Sequence, residues 1–216
     1  MSIFRRTRTV SRRKTVSRRK TVPAAQGGFQ LVELLVVSAV LMLMASLITP
    51  MATVWWRGLM LEMAAEEVRT AMEMARSHAV RHQQKVAVSF QMRDDRLIYH
   101  ALYRDGDGDG VRSVDIESGI DPLVRRAQPI GSFGGVEFGF PPGPPPRDPG
   151  GRGWMTRLDD PVRFNRSDLA SFAPGGTATP GSLYLTDGHS LVAVRISSQV
   201  AVARVLRYDF DEERWL

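Results

Sequence analysis

The chain has 216 residues, 43% of them hydrophobic, with no cysteine and a formal net charge of +6. That length allows one modest globular domain plus a leader and a membrane segment, and the missing thiol excludes disulfides and thiolate metal sites. The basic balance invites a nucleic-acid partner, but nine of the 29 basic residues fall within residues 1–28, which hold no acid; the remainder carries 20 basic and 23 acidic residues, a net −3.

Residues 1–28 form a basic leader in which Ser-Arg-Arg-Lys-Thr-Val at 11–16 is repeated at 17–22. A block of like charge of this kind is usually disordered. A nucleic-acid-binding arm and an ordinary secretory signal are the competing readings. Against the second, no small-residue A-x-A site closes the apolar run that follows, and the run ends in Trp55-Trp56.

Gly27-Gly28-Phe29-Gln30-Leu31-Val32-Glu33 leads into an apolar run from Leu34 to Ile48, and after Glu33 no charge occurs until Arg57. About 20 apolar residues cross a bilayer as a helix, so residues 29–56 are predicted to be a transmembrane helix half. Positive charge before the span holds that end in the cytoplasm. An acid at the edge of such a span is expensive to desolvate and usually has a specific partner. Pro50 removes one helix donor and crowds the preceding turn, which predicts a bend. Trp55 and Trp56 suit the outer interface, where their ring N–H groups meet the headgroups.

Residues 57–82 continue the helix as an amphipathic half. Leu61, Ala65, Val68, Met72, Ala75 and Ala79 recur at spacings of four and three, a narrow stripe of mostly small residues. Such a stripe serves a coiled-coil seam or, as the alanines favour, close packing on a sheet. Glu66/Arg69 and Glu73/Arg76 are spaced to pair, and Glu62/Glu66 to repel.

Residues 83–216 read as a β-rich domain. Val86, Val88 and Phe90 alternate with smaller or polar residues, the mark of a half-buried strand. A turn over 91–96 precedes a second strand over 97–103, and residues 111–126 show only weak patterning. A strand is expected over 131–140, an exposed Pro/Gly-rich loop over 141–153, and further strands over 158–164, 182–186, 191–197 and 200–210. Asp187-Gly188 joins two of these as a hairpin. In the last segment Val200, Val202, Leu206, Tyr208 and Phe210 share one face. One long helix followed by strands predicts an α+β fold, with the helix packed on a C-terminal antiparallel sheet domain.

The basic leader, Gly28, Phe29, Glu33 and the apolar run, in that order, resemble the type IV prepilin signal. That resemblance implies cleavage between Gly28 and Phe29 by a prepilin peptidase, N-methylation of Phe29, and Glu33 as the fifth residue of the mature chain, where it serves assembly. The segments Ala75-Arg76-Ser77-His78-Ala79-Val80 and Phe172-Ala173-Pro174-Gly175-Gly176, with the closing strands from Ser182, resemble the GspH/FimT-type minor pseudopilins. Membership implies a pilin-like fold and a single-pass anchor in the bacterial inner membrane with a periplasmic C-terminal domain. Its expected partners are other pseudopilins or pilins and an inner-membrane assembly platform, in a type II secretion pseudopilus or a type IV pilus. The chain departs from its relatives in the 141–153 loop and at Ser197-Ser198-Gln199, where they often carry a Gly-Arg turn.

Three constellations carry other chemistry. Asp105, Asp107 and Asp109, with Gly110, match the first half of a calcium loop. The twelfth position is Ile116, flanked by Asp115 and Glu117, so an acidic turn without metal explains the same residues. A membrane-anchored metal-dependent enzyme built on this loop is the weakest of the functional readings. His78 and His82 are spaced for zinc on a helix, but no third ligand is near, and a positive helix end accounts for them. Arg195, Arg204 and Arg207 would serve a minor pilin that captures DNA during uptake, unless they are outward positions paired with Asp209, Asp211 or Glu212. No nucleophile elbow or P-loop occurs, and Asp187, His189 and Ser190 are neighbours through a turn, so no enzymatic activity and no cofactor are expected.

Overall fold

The computed structural model describes residues 31–92, 98–131, 135–164, 167–197 and 201–216, and of these the side chains of 48–52 and 54 are not described. The leader, Gly28 and Phe29, the turn expected over 91–96 beyond Met92, and Val200 lie outside the described residues. So does the side chain of Pro50, where the bend is expected.

The chain opens with α1 (Leu31–His82). It continues with β1 (Val86–Met92), β2 (Ile98–Arg104), the short α2 (Ser113–Ser118), β3 (Leu123–Ile130) and β4 (Glu137–Phe138). Then come β5 (Val162–Phe164), β6 (Leu169–Phe172), β7 (Gly181–Thr186), β8 (Leu191–Ile196), β9 (Ala203–Asp209) and β10 (Arg214–Trp215). The strands form two antiparallel sheets. One has the order β3-β2-β1-β6; the other has the order β10-β9-β8-β7-β4, with β5 also paired to β7. The α+β class expected from the sequence is therefore observed.

The described chain divides into two compact units, the first ending at Ala45 and the second running from Ser46 to Leu216. In the first, the described helix is apolar on every side: Leu31, Leu34, Leu35, Val36, Leu41, Met42 and Leu43 are all exposed. Among the described residues no helix is long and apolar enough to cross a membrane. The described side chains of the run stop at Leu47, which at 1.5 Å per residue covers about 26 Å. That falls short of the ~30 Å hydrocarbon core, so a membrane-spanning first half is not established by the described part of α1.

In the second unit the predicted stripe becomes the core. Leu61, Ala65, Val68, Met72, Ala75 and Ala79 are buried to 1% exposure or less, and Met60, Ala64 and Ala71 widen the contact. They pack against Val86, Val88 and Phe90 of β1, Ile98 and Leu102 of β2, Leu183 and Leu185 of β7, and Val192, Val194 and Ile196 of β8. Small side chains on the helix let its backbone approach both sheets, whose branched residues fill the space between. Gly131 shows how close the approach is. Its φ is +60°, a Cβ there would lie 3.3 Å from that of Ala64, and its N–H donates to Glu67 Oε2 at 3.0 Å. The helix ends in a Schellman arrangement, with Gln83 at φ +52° and the Gln84 N–H returning to the Ala79 carbonyl at 3.2 Å.

Several expectations change in detail. Arg69 bridges Glu66 and Glu73, both at 2.6 Å, so Glu73 pairs with Arg69 and not with Arg76. The weakly patterned 111–126 region divides into α2 and the start of β3, an edge strand that accommodates Pro129. The strand expected over 131–140 shrinks to Glu137–Phe138. The Asp187-Gly188 hairpin forms, but its loop runs from 187 to 190, because Thr186 and Leu191 are register partners. Only Gly188 takes a positive φ there.

The last strand is shorter than expected, β9 covering Ala203–Asp209, and its two faces meet different clusters. Ala203 and Val205 face the helix-side core, whereas Tyr208 and Phe210 belong to a second cluster with Tyr184, Leu191, Ala193, Phe140 and Trp215. The face shared by Val202, Leu206, Tyr208 and Phe210 is thus the outer one, and Val202 on it is exposed. The Pro/Gly-rich loop is exposed over most of its length, as expected, and roofs this outer face. Trp215 Nε1 donates to the Arg147 carbonyl at 2.6 Å, the Arg147 N–H donates to the Tyr208 hydroxyl at 3.2 Å, and Met155 is buried beneath.

His100 of β2 sits on the helix side, 8% exposed, in a cavity shared with Glu66, Glu67, Arg125 and Gln128. Burial, and next the Arg125 charge, push its pKa below the ordinary 6.5, against a smaller raising effect from a backbone hydrogen bond at Gln128. An imidazole held neutral in the fold but free to protonate when unfolded stabilises the protein fully above pH ~6.5, and that contribution is lost as pH falls below it. His100→Gln should therefore flatten the decline of Tm between pH 7.5 and 5.5. One proton accounts for at most about 1.4 kcal/mol per pH unit. An unchanged slope would show that His100 titrates alike in both states.

Candidate assembly helix and charged clusters

Glu33 lies in the first turn of α1, where a carboxylate complements the helix dipole. It is exposed and is the sole charged residue between the start of α1 and Arg57. The side chains around it, from Leu31 to Leu47, present apolar surface in all directions. A helix that is apolar all round belongs in a lipid or protein interior. Ser38, the one polar side chain in the middle of this stretch, turns its hydroxyl onto the Leu35 carbonyl at 2.9 Å. Trp55 and Trp56 are exposed further along.

The Asp loop assembles as its spacing suggests. Ligand oxygens of Asp105, Asp107 and Asp109 lie within 4.8 Å of one another. Each carboxylate is already engaged by the protein. Asp105 accepts the Gly108 N–H at 2.7 Å and lies 3.9 Å from Lys85 Nζ. Asp107 accepts the Asp109 N–H at 3.3 Å, and Asp109 pairs with Arg112. Asp121, not singled out from sequence, organises the loop from below: it is 1% exposed and accepts the Gly106 and Arg112 N–H groups, each at 2.9 Å. Its signal was Asp121-Pro122, a turn-forming dipeptide.

His78 and His82 stack with ring centroids 4.2 Å apart. Burial, then the neighbouring His82, Arg81 and Arg104 charges, push the His78 pKa down. Among the described residues these imidazoles belong to no metal-ligand cluster. Asp187 Oδ1 accepts the N–H groups of His189 and Ser190 at 2.9 and 2.6 Å, so this carboxylate shapes the hairpin.

The three candidate DNA-binding arginines separate. Arg195 and Arg204 are register partners across β8 and β9, on the face turned away from the helix. Arg207 points to the helix side and pairs with Glu62 of α1 at 3.1 Å, not with Asp209, Asp211 or Glu212. Asp209 instead accepts the Asp211 and Glu212 N–H groups, and Glu212 pairs with Arg214. Like charges directly opposite on a sheet repel, so the Arg195–Arg204 register calls for an anion nearby.

Sequence comparison adds the family. A family model described as type II transport protein GspH matches residues 64–200, which runs from the buried half of α1 through β8. No curated protein and no solved structure matches the chain.

Proposed function

The chain belongs to the GspH family of type II transport proteins, and from that premise we propose that it is a minor pseudopilin that works by packing, without catalysis. In this reading a prepilin peptidase cuts between Gly28 and Phe29 and methylates the Phe29 amine. The helix half 29–56 stores the subunit in the bacterial inner membrane, with residues 83–216 in the periplasm. An assembly platform then moves it into a type II secretion pseudopilus beside other pseudopilins.

The observation that carries the proposal is the division of labour along α1. From Leu61 to Ala79 its small-residue stripe is consumed by its own sheets, while from Leu31 to Leu47 the same helix exposes apolar side chains on every side. Continuing the run past Leu47 through Ile48 and the next turn brings its length to the ~30 Å that a bilayer requires. The alternative, a minor pilin that captures DNA, needs one basic face. Arg207 is drawn off to Glu62, and the chain beyond residue 28 is net negative, so this reading ranks second.

Intact-mass measurement of the membrane-extracted protein tests the proposal. A chain beginning at Phe29 and carrying one added methyl group is expected. A chain that retains residues 1–28, or one cut beyond Ile48, contradicts it.

A further inference from the structure

The outer face of the second sheet holds a cavity of about 620 Å³ beneath the 141–153 roof, between that loop and strands β5, β7 and β8. Three arginines, Arg152, Arg163 and Arg195, line it against a single acid, Asp148. Arg163 is fixed in place. Its Nε donates to the Asp160 carbonyl at 2.7 Å, a terminal nitrogen donates to the Arg157 carbonyl, and its guanidinium carbon sits 5.6 Å from the ring centres of both Phe140 and Tyr184. These hydrogen-bond partners are neutral carbonyls, so the charge of Arg163 is oriented but not cancelled by an ion pair.

Arg195 is half-buried and makes no salt bridge among the described residues. Its two terminal nitrogens lie against Gly150, where a Cβ would come within 3.1 Å of each. The absent side chain is what gives the guanidinium its place. Arg204 stands opposite on β9 and adds to the positive field. Planar guanidinium groups hold carboxylates by two parallel hydrogen bonds.

We propose that this cavity binds a carboxylate side chain from an acidic peptide segment of a partner protein, with Arg195 making the paired contact and Arg163 supplying fixed charge. The site is independent of the assembly role of α1. Asp148, whose Oδ2 is 3.0 Å from the Gly150 Cβ position, counts against a phosphate dianion. A nucleic-acid strand is disfavoured as well, because Arg147 and Arg157 at the rim lie beside the acids Glu213 and Asp159, which would repel a run of phosphates. What remains positive is one pocket, suited to one anion.

The test uses the full chain in detergent, labelled with ¹⁵N. It follows the indole N–H signal of Trp154, which lines the cavity and is one of four tryptophans. Titration with acetyl-tetraglutamate amide at constant ionic strength should shift this signal saturably. Arg195→Gln should weaken the response about tenfold, the loss expected for a hydrogen bond to a charged group. Gly150→Ala leaves the charge intact but puts a methyl group 3.1 Å from each terminal nitrogen of Arg195, so the tip must give by a few tenths of an ångström, and a smaller weakening of the response is expected; it decides the matter if Arg195→Gln fails to fold. Inorganic phosphate and a single-stranded oligonucleotide should each shift the signal less than the peptide. The proposal is overturned if the peptide gives no saturable shift, if both variants respond like the parent, or if phosphate or the oligonucleotide binds more tightly.

Discussion

Glu33→Leu is expected to leave the protein processed and membrane-inserted, yet unable to co-purify with its partner pseudopilins. The substitution leaves Gly28 and Phe29 untouched and removes the sole charge from the Leu31–Leu47 surface, so cleavage and insertion have no physical reason to fail. Assembly does. On the proposed cleavage, when helices of this kind lie side by side, an acid at the fifth mature position, four residues after Phe29, can reach the freed amine of a neighbour's Phe29. Both groups would otherwise be charged and poorly solvated. Removing one partner of a buried ion pair costs about 3–5 kcal/mol, enough to reduce association several-hundred-fold or more. The exposed position of Glu33 in the first turn of α1 leaves the carboxylate accessible for such a contact. Equal recovery of partners with the parent and the variant would show that the contact is dispensable.

A second large effect is expected at Val68. Its side chain has no solvent exposure and lies among Leu61, Ala65 and Met72 in the cluster that joins α1 to both sheets. Val68→Asp places a carboxylate where the surrounding core side chains are apolar, and an unpaired buried charge forces either protonation or local unfolding. A loss above about 4 kcal/mol is expected, a large part of the ~5–15 kcal/mol that a domain has in total. Val68→Ala serves as the comparison, losing about 2 kcal/mol for two methyl-sized groups. Thermal unfolding followed by circular dichroism separates the two. If both variants lower Tm equally, residue 68 is not enclosed and the docking of the stripe on the sheets is wrong.

The helix stripe was legible in the sequence because burial of one helix face imposes a 3.6-residue period that nothing else in the region disturbs. Strands β1, β2, β7 and β8 were legible as short apolar runs bounded by turns, although their burial does not alternate: both faces are largely covered, so β1 is not the half-buried strand expected. The regions misjudged obey other constraints. β3 is an edge strand with irregular register against β2, so its burial does not alternate cleanly. Around Ala201, at φ +46°, the chain enters β9 with Ala203 and Val205 turned inward, and alanine is too small to advertise a core position. The roof formed by residues 141–155 is held by Tyr208 and Trp215, more than 50 residues away, so no local pattern announces it. The cavity that Arg163 and Arg195 share was hidden in the same way, because its lining is drawn from separate segments between Asp148 and Arg195. The Asp loop was read correctly as a cluster, while Asp121, its buried organiser, lay outside the alternate-residue pattern.

Helix α1 packs on its own sheets over 61–79, and in the proposed function its exposed apolar half over 31–47 meets neighbouring subunits. The chain has no native cysteine, which makes site-specific cross-linking the most direct measurement. Leu41→Cys sits on the exposed apolar half, and Glu117→Cys sits on α2, exposed but away from the stripe. When each is expressed in cells beside a partner pseudopilin carrying one cysteine in its own N-terminal helix, oxidation should trap a mixed disulfide through residue 41 and not through residue 117. Disulfides formed through residue 117 with none through residue 41 would contradict the account.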